Sequence, residues 1–182
     1  MHAYTHNPHT NIRSRADRNA PTAVLFVCLG NICRSVAAQH VFEAVCEARG
    51  VADRFFADSA GTYGGHEGQQ ADPRMRHAAA QRGYNLTHRA RQVRAADFSR
   101  FDVVLAMDDS NRHNLLRLAP TLHDQQKVRR MADYLTAFPT YDYVPDPYYE
   151  GAEGFELVLD MLEDGCARLC DQLLQEREEN HK

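Results

Sequence analysis

An apolar strand that runs directly into a loop bounded by a cysteine and an arginine constrains the fold of this chain most. Residues 23–27 are all apolar, the segment CLGNICRS follows at residues 28–35, and an Ala-rich stretch comes next. A β-strand is therefore predicted to end at Cys28 and an α-helix to begin near Ser35. The backbone N–H groups of such a loop and the first turn of the helix point to one place, where they bind a tetrahedral oxyanion.

The residue types in this loop suit phosphoryl chemistry. Inward-facing amides, a helix N-terminus and Arg34 would all stabilise the thiolate form of Cys28, which is the nucleophilic form. The planar guanidinium of Arg34 matches two phosphoryl oxygens, and the Ser35 hydroxyl can donate a hydrogen bond to the sulfur. Gly30 is expected to adopt a positive φ where the loop curls, and Asn31 to hold the loop through side-chain to backbone bonds. The alternative for Cys28 is a buried structural thiol at a strand end.

The rest of the chain alternates strand-like and helix-like segments. Strands are predicted over residues 23–28, 55–59, 102–107 and 127–131, and helices over 35–49, 72–81, 110–118 and 155–175. This alternation predicts a single-domain α/β fold, a doubly wound sheet of four parallel strands with helices on both faces, flavodoxin-like in layout. Ligands bind such sheets beyond the carboxyl ends of the strands, where Cys28 lies.

Composition favours one cytoplasmic domain behind a polar extension. A chain of 182 residues with a net charge of −4 can bury one core, and its five cysteines argue against a disulfide framework. No apolar run approaches the ~20 residues that span a membrane, and no signal-peptide core is present. Residues 1–21 are predicted to be a disordered extension and residues 22–178 the folded domain. Three histidines of the extension are irregularly spaced and match no metal-site pattern, so neither metal nor cofactor is predicted.

Three later segments accompany the Cys28 loop: DSAGT at residues 58–62, AMDDSN at 106–111 and PDPYY at 145–149. The segment CLGNICRS resembles the signature loop of the low-molecular-weight protein tyrosine phosphatases. DSAGT resembles the end of that family's second strand, AMDDSN its third strand with the following loop, and PDPYY its acid-bearing loop. The likeness runs from about residue 23 to about residue 176. It makes residues 22–178 a candidate phosphatase domain with a phosphotyrosine phosphatase I-like fold.

The resemblance implies a two-step hydrolysis of phosphotyrosine in proteins and of aryl phosphates. Cys28 would attack the phosphorus and form a cysteinyl-phosphate, Arg34 would clamp the phosphoryl oxygens, and Asp146 would protonate the leaving phenolate. Water would then attack the intermediate with Asp146 as the base. Prolines on both sides restrict the backbone of Asp146, which in isolation reads as an ordinary Asp-Pro turn. The phosphate would also contact the other loop residues, namely Leu29, Gly30, Asn31, Ile32, Cys33 and Ser35.

The substrate cleft is assigned by resemblance as well. Tyr148 and Tyr149 would form an aromatic wall that favours a phenyl ring, although either could equally be an ordinary loop tyrosine. The family carries a bulky aromatic residue in the loop after the second strand, and Gly65 takes that place here. Either Tyr63 or His66 substitutes for it, or the cleft is wider.

Supporting roles follow from the same resemblance. Ser59 would tether the anion loop through Asn31, and His88 would bond to the same loop. Asp108 occupies a conformationally important position after the third strand. A lone histidine is otherwise more often an exposed structural residue.

Two alternative functions use the same kind of loop. An arsenate reductase relays oxidation through later cysteines, but the chain has none between Cys46 and Cys166. A non-catalytic phosphotyrosine-binding module has no need of an acid such as Asp146. Cys33 raises a separate hypothesis, in which it captures oxidised Cys28 as a disulfide; the alternative is a loop residue without a redox role.

The expected partner is a tyrosine-phosphorylated protein. Family habit suggests a bacterial tyrosine kinase involved in polysaccharide export, and the chain is expected to be a monomer or weak dimer. Seven arginines between residues 74 and 100 could attract acidic partners. Such runs are more often solvated helix faces, so nucleic-acid binding is not predicted.

Overall fold

The computed structural model describes residues 19–182, and these form a four-stranded parallel sheet with helices on both faces. The strands are β1 (Thr22–Cys28), β2 (Phe55–Gly61), β3 (Val103–Ala106) and β4 (Val128–Arg130). Their order across the sheet is β2-β1-β3-β4, which confirms the predicted doubly wound α/β fold. Residues 1–18, most of the predicted disordered extension, lie outside the described residues.

The structure has a long helix at each of the four predicted places, but not every helix boundary agrees with the prediction. They are α1 (Arg34–Ala48), α2 (Pro73–Gln81), α3 (Asp97–Arg100), α4 (Asp109–Leu118), α5 (Leu122–Gln125) and α6 (Ala152–Glu179), with 3₁₀ turns at Ala52–Arg54 and Met131–Tyr134. The sequence did not predict α3 and α5, because four residues carry no helical period. α6 extends beyond its predicted range at both ends.

Strand β1 lies at the centre of the sheet, and both of its faces are buried. Phe26 and its same-face neighbours pack against α1 and α6, where the Phe26 and Phe42 ring centroids are 5.6 Å apart. Leu25 points to the opposite face and packs with Phe98 of α3 and Leu115 of α4. A strand covered on both sides needs an unbroken apolar run, which explains the composition of residues 23–27.

The carboxyl end of β1 is where three loops meet. The amide of Thr62, just after β2, donates to the Cys28 carbonyl at 3.0 Å. The amide of Met107, just after β3, donates to the Val27 carbonyl at 3.2 Å, and the Met107 carbonyl accepts from Val144 at 2.8 Å. The sheet therefore places the Cys28 loop, the loop after β3 and the chain leading to Asp146 side by side.

Candidate active site

The loop of residues 28–35 curls over the N-terminus of α1, which begins at Arg34 without a side-chain cap. Asn31 takes the left-handed conformation, with a φ of 57°. The expected positive φ at Gly30 is therefore wrong, because the neighbouring asparagine, which tolerates this region better than most residues, makes the turn. Gly30 instead lets the His66 ring lie close to the loop backbone, since a Cβ at residue 30 would be 2.9 Å from Cδ2 of His66.

A buried hydrogen-bond network surrounds the Cys28 sulfur. Cys28 is 2% exposed, and its Sγ lies 3.0 Å from Oγ of Ser35. Asn31 Nδ2 donates to the same hydroxyl at 2.8 Å. Because Ser35 accepts from Asn31, its own proton is available to the sulfur or to the Ala60 carbonyl at 3.3 Å. A thiolate at Cys28 would receive that proton as a hydrogen bond.

Residues outside the loop hold the Asn31 side chain. Its Oδ1 accepts from the Arg91 amide at 3.1 Å and lies 2.9 Å from Nε2 of His88. The other ring nitrogen of His88 is 3.3 Å from the Asp58 carboxylate. Burial lowers the pKa of His88, although Asp58 opposes that shift. The structure thus places His88 against the anion loop, and its partner there is Asn31.

Ser59 lies in the same region but makes a different contact. Its buried hydroxyl donates to Oε1 of Gln39 at 2.7 Å, which joins β2 to α1. The expected tether through Asn31 is therefore corrected: Ser59 fixes the helix that follows the loop and does not bond the asparagine.

Arg34 is 2% exposed and is held by two acceptors. Its Nη1 donates to Oδ2 of Asp108 at 2.7 Å and to the Val144 carbonyl at 3.1 Å. Burial alone would lower the pKa of Arg34, but Cys28 and Asp108 raise it, so the guanidinium stays charged. Asp108 also caps α4, since its Oδ1 accepts from the Asn111 amide at 2.8 Å.

Asp146 lies beside Arg34 of the loop. Its Oδ2 is 3.5 Å from Nη2 of Arg34, and its Oδ1 accepts from the Tyr148 amide at 3.0 Å. The carboxylate is 38% exposed, so solvent and substrate can both reach it.

Cys28, Arg34 and Asp146 line one cavity of about 200 Å³. Four more of the predicted loop residues line it too: Leu29, Gly30, Ile32 and Cys33. Burial, reinforced by Asp72, raises the pKa of Cys33, so this second thiol stays protonated at neutral pH. The remaining predicted loop residues, Asn31 and Ser35, lie behind the cavity and support the sulfur.

Aromatic side chains form the rim of the cavity. Tyr148 and Tyr149 contribute to it with ring centroids 5.0 Å apart, and Tyr149 is 92% exposed. Tyr63 and His66 also line it, with their rings edge to face at 5.9 Å. A Cβ on Gly65 would lie 2.1 Å from Cζ of Tyr63. The Tyr63 ring therefore fills the space that a side chain at residue 65 would need, which the sequence alone had left undecided.

Comparison with known proteins gives the family. The sequence profile of the low molecular weight phosphotyrosine protein phosphatases matches residues 23–179. A low molecular weight protein-tyrosine-phosphatase from Streptomyces coelicolor is 50% identical over 141 residues, which cover 77% of this chain and 86% of the relative. The chain belongs to the low molecular weight phosphotyrosine protein phosphatase family. It is a protein tyrosine phosphatase, as the motifs predicted.

Solved structures of similar phosphatases agree with the fold. The protein tyrosine phosphatase of Entamoeba histolytica, crystallised with Hepes in the active site, superposes with a TM-score of 0.83 at 44% identity. The match covers 86% of this chain and 99% of that one. YfkJ from Bacillus subtilis superposes with a TM-score of 0.81 at 34% identity and covers 87% and 98% of the two chains.

The described residues also bear on metal binding, membrane insertion and the run of arginines. Within residues 19–182, no group of three or more His, Cys, Asp or Glu side chains is placed to hold a metal ion. No helix in that part of the chain is long and apolar enough to cross a membrane. Most of the arginines between residues 74 and 100 are engaged in ion pairs or carbonyl contacts, and Arg91, for example, binds both Asp58 and Asp97.

Sequence reasoning missed the residues that join the loops to one another. Val144, Gln39 and Arg91 contact the site through a backbone carbonyl, an amide side chain and a backbone N–H. None of these contacts has a local sequence signal, because each joins segments far apart in the chain.

Proposed function

We propose that this phosphatase hydrolyses phosphotyrosine in proteins through a cysteinyl-phosphate on Cys28. The observation that carries the proposal is the convergence of a buried sulfur, a buried guanidinium and an exposed carboxylate on one cavity. A phosphoryl group seated there would be held by the loop amides of residues 29–35 and by Arg34. Residues 22–178 would form the phosphatase domain.

In the first step, the Cys28 thiolate would attack the phosphorus in line with the leaving oxygen. Ser35, bonded to Asn31 on one side, stabilises the thiolate through its proton. Asp146 would donate a proton to the leaving phenolate, because it lies at the open side of the cavity. The charge that develops on the phosphoryl oxygens would be met by Arg34, whose orientation Asp108 fixes.

In the second step, water would attack the cysteinyl-phosphate and release inorganic phosphate. Asp146, now ionised, would take a proton from that water, and the Cys28 thiolate would leave. The step needs no metal or cofactor, since the loop supplies the positive potential that neutralises the phosphoryl charge.

The rim of the cavity supports an aromatic substrate. Tyr63 and His66 stand on one loop and Tyr148 and Tyr149 on the other, so a phenyl ring would be buried between flat side chains. The expected substrate is a tyrosine-phosphorylated protein, and we propose a bacterial tyrosine kinase as one such protein. A reactive thiolate of this kind works best in the reducing cytoplasm, where the enzyme would act as a monomer or weak dimer.

Hydrolysis of an aryl phosphate in the presence of a metal chelator tests the proposal. Wild-type enzyme should release phosphate, Cys28→Ser should not, and Cys46→Ser, which removes a buried thiol outside the cavity, should stay active. An acid-quenched reaction with labelled substrate should trap phosphate on Cys28. Thiol-dependent arsenate reduction without phosphate release would favour a reductase, and tight binding without turnover would favour a binding module.

A further inference from the structure

We propose that Arg74 is a positioning residue that fixes the acid-bearing loop over the Cys28 cavity. The inference rests on the proposed role of Asp146 as general acid. Arg74 lies in the first turn of α2 and is absent from the cavity lining, so it would act on the reaction through other residues. Its contacts reach the anion loop on one side and the acid-bearing loop on the other.

On the nucleophile side, Arg74 is tied to the anion loop through Asp72. The Asp72 amide donates to the Ile32 carbonyl at 2.8 Å, which joins the cap of α2 to the loop around the phosphate site. The Asp72 carboxylate is almost buried and accepts three bonds from Arg74: from its amide at 2.8 Å, from Nε at 3.1 Å and from Nη2 at 2.9 Å. The plane of the guanidinium is therefore set by a residue bonded to the anion loop.

On the acid side, the same guanidinium contacts two aromatic rings. Its Cζ lies 5.2 Å from the ring centroid of Tyr148 and 4.9 Å from that of Phe155. Phe155 is buried at the start of α6, so it is a fixed platform. Tyr148 is 40% exposed, and its amide donates to Oδ1 of Asp146 at 3.0 Å. Holding Tyr148 therefore holds the carboxylate two residues away.

The other side-chain contacts of Asp146 and Tyr148 give weaker support. Tyr149, whose ring meets that of Tyr148, is 92% exposed and provides no fixed surface. The approach of Asp146 to Arg34 is 3.5 Å, longer than a good charge-assisted hydrogen bond. Val144, two residues before Asp146, anchors one side of the loop by its backbone bonds to Met107 and Arg34. The stacked guanidinium of Arg74 holds the other side of the loop at Tyr148.

Loss of this contact has a specific chemical signature. A misplaced Asp146 would fail to protonate the leaving oxygen, and a poor leaving group depends on that proton more than a good one does. The attack by Cys28 and the binding of phosphate would be unaffected, because Arg74 touches neither the sulfur nor Arg34. A role limited to stability would instead change all substrates alike.

The experiment compares Arg74→Met and Arg74→Lys with Arg76→Met on the same helix. The Arg76 side chain donates a hydrogen bond to the Ala71 carbonyl at 3.0 Å. The readout is kcat/KM, which reports only the first step, because hydrolysis of the cysteinyl-phosphate is the same for every substrate. We expect both Arg74 variants to lower kcat/KM for phenyl phosphate by about 10- to 100-fold, part of the ~10²–10⁴ that general acid catalysis contributes. The kcat/KM for p-nitrophenyl phosphate, which has a good leaving group, should fall less than about threefold. The rate of Cys28 alkylation and the affinity for vanadate should match wild type, as should all properties of Arg76→Met.

A second set of variants separates this inference from the proposed function. In an Asp146→Ala background, Arg74→Met should cause no further loss on phenyl phosphate. A further loss, an equal loss of kcat/KM on both substrates, or wild-type kinetics in Arg74→Met and Arg74→Lys would overturn the positioning role. If Asp146→Ala itself leaves the dependence on leaving group unchanged, the acid assignment fails and the role of Arg74 fails with it. If Asp146→Ala shows the dependence and Arg74→Met does not, only the positioning role fails.

Discussion

Asp108 accepts a hydrogen bond from Nη1 of Arg34 at 2.7 Å, and the two side chains are only 25% and 3% exposed. The carboxylate therefore sets the direction of the guanidinium that faces the phosphate cavity. Because the other carboxylate oxygen caps α4, both oxygens of Asp108 are held by hydrogen bonds.

Replacing Asp108 by Asn should separate the orientation of Arg34 from the capping of α4. The amide oxygen can still cap α4, whereas the charge that orients Arg34 is lost. We expect the affinity for vanadate to fall about tenfold or more, the usual loss for a hydrogen bond to a charged group, with a small change in thermal stability. Inhibition constants and melting curves measure the two effects. Equal vanadate affinity in both proteins would contradict the orienting role.

Asp146→Ala should separate catalysis from binding. Turnover of phenyl phosphate should fall by about 10²–10⁴, because the leaving phenolate no longer receives a proton. Competitive inhibition by inorganic phosphate should change little, since the loop amides and Arg34 remain in place. Asp142→Ala, a few residues earlier in the chain and outside the cavity lining, is the matched control. Unchanged turnover of phenyl phosphate would remove Asp146 from the mechanism.

Tyr63 should contribute to the preference for aryl substrates. Tyr63→Ala is expected to raise KM for aryl phosphates about two- to tenfold, the range of a single aromatic contact, and to leave alkyl phosphates nearly unaffected. Tyr143→Ala removes another exposed tyrosine, one outside the cavity lining, and should change neither value.

Gly65 offers an independent test of the part of the cavity rim that Tyr63 forms. Gly65→Phe alone should displace the Tyr63 ring from the cavity rim, because its Cβ would lie 2.1 Å from Cζ of that side chain, which is 55% exposed and can turn away. The double variant Tyr63→Gly/Gly65→Phe should restore aryl preference, so the effects of the two changes on KM would be strongly non-additive. Additive effects on KM would show that the two positions do not share one space.

His40 should make stability depend on pH. Its Nε2 accepts a hydrogen bond from the His88 amide, and burial lowers the pKa of His40 more strongly than Glu43 raises it. The unfolded chain takes up the proton near the ordinary value of 6.5, before the folded protein does. Stability should therefore be complete above that pH and fall as the pH drops from there through the lowered pKa of the folded state. His40→Gln should reduce this dependence in denaturant titrations, and the part that remains should come from His88, whose pKa burial also lowers. Exposed His123→Gln should leave the dependence unchanged.

Cys33 should protect the nucleophile from irreversible oxidation. Peroxide converts the Cys28 thiolate to a sulfenic acid, and attack by the Cys33 sulfur would form the disulfide and release water. Because the pKa of Cys33 is raised, capture should become faster as the pH rises above neutral. Peptide mass spectrometry should find the Cys28–Cys33 linkage, and Cys33→Ser should lose activity that a reductant cannot restore. Full recovery of oxidised Cys33→Ser by reductant would contradict the protective role.

The parts of this fold that follow from local sequence could be predicted, and the parts that depend on distant contacts could not. The apolar run of β1 and the loop after it have patterns that few other structures share, so the position of Cys28 was clear. Gly30 and Asn31 both tolerate a positive φ, and only the folded backbone shows that Asn31 adopts it. Ser59 could have bonded several neighbours, and the packing of α1 against β2 selects Gln39.

The connection through Arg74 had no signal in the sequence for a different reason. Its partners Asp72, Tyr148 and Phe155 come from α2, the acid-bearing loop and α6, and only the tertiary fold brings them together. A charged residue in a run of arginines reads locally as a solvated helix face.

The left-handed turn at Asn31 also limits how this enzyme can diverge. Glycine would satisfy the backbone but abolish the bonds to Ser35 and His88, and most other side chains would strain the turn. A saturation library selected for activity should therefore return asparagine almost alone at residue 31. Leu29, with about half of its side chain in solvent, should tolerate more substitutions than Asn31. Backbone conformation and side-chain chemistry have become inseparable at that one position.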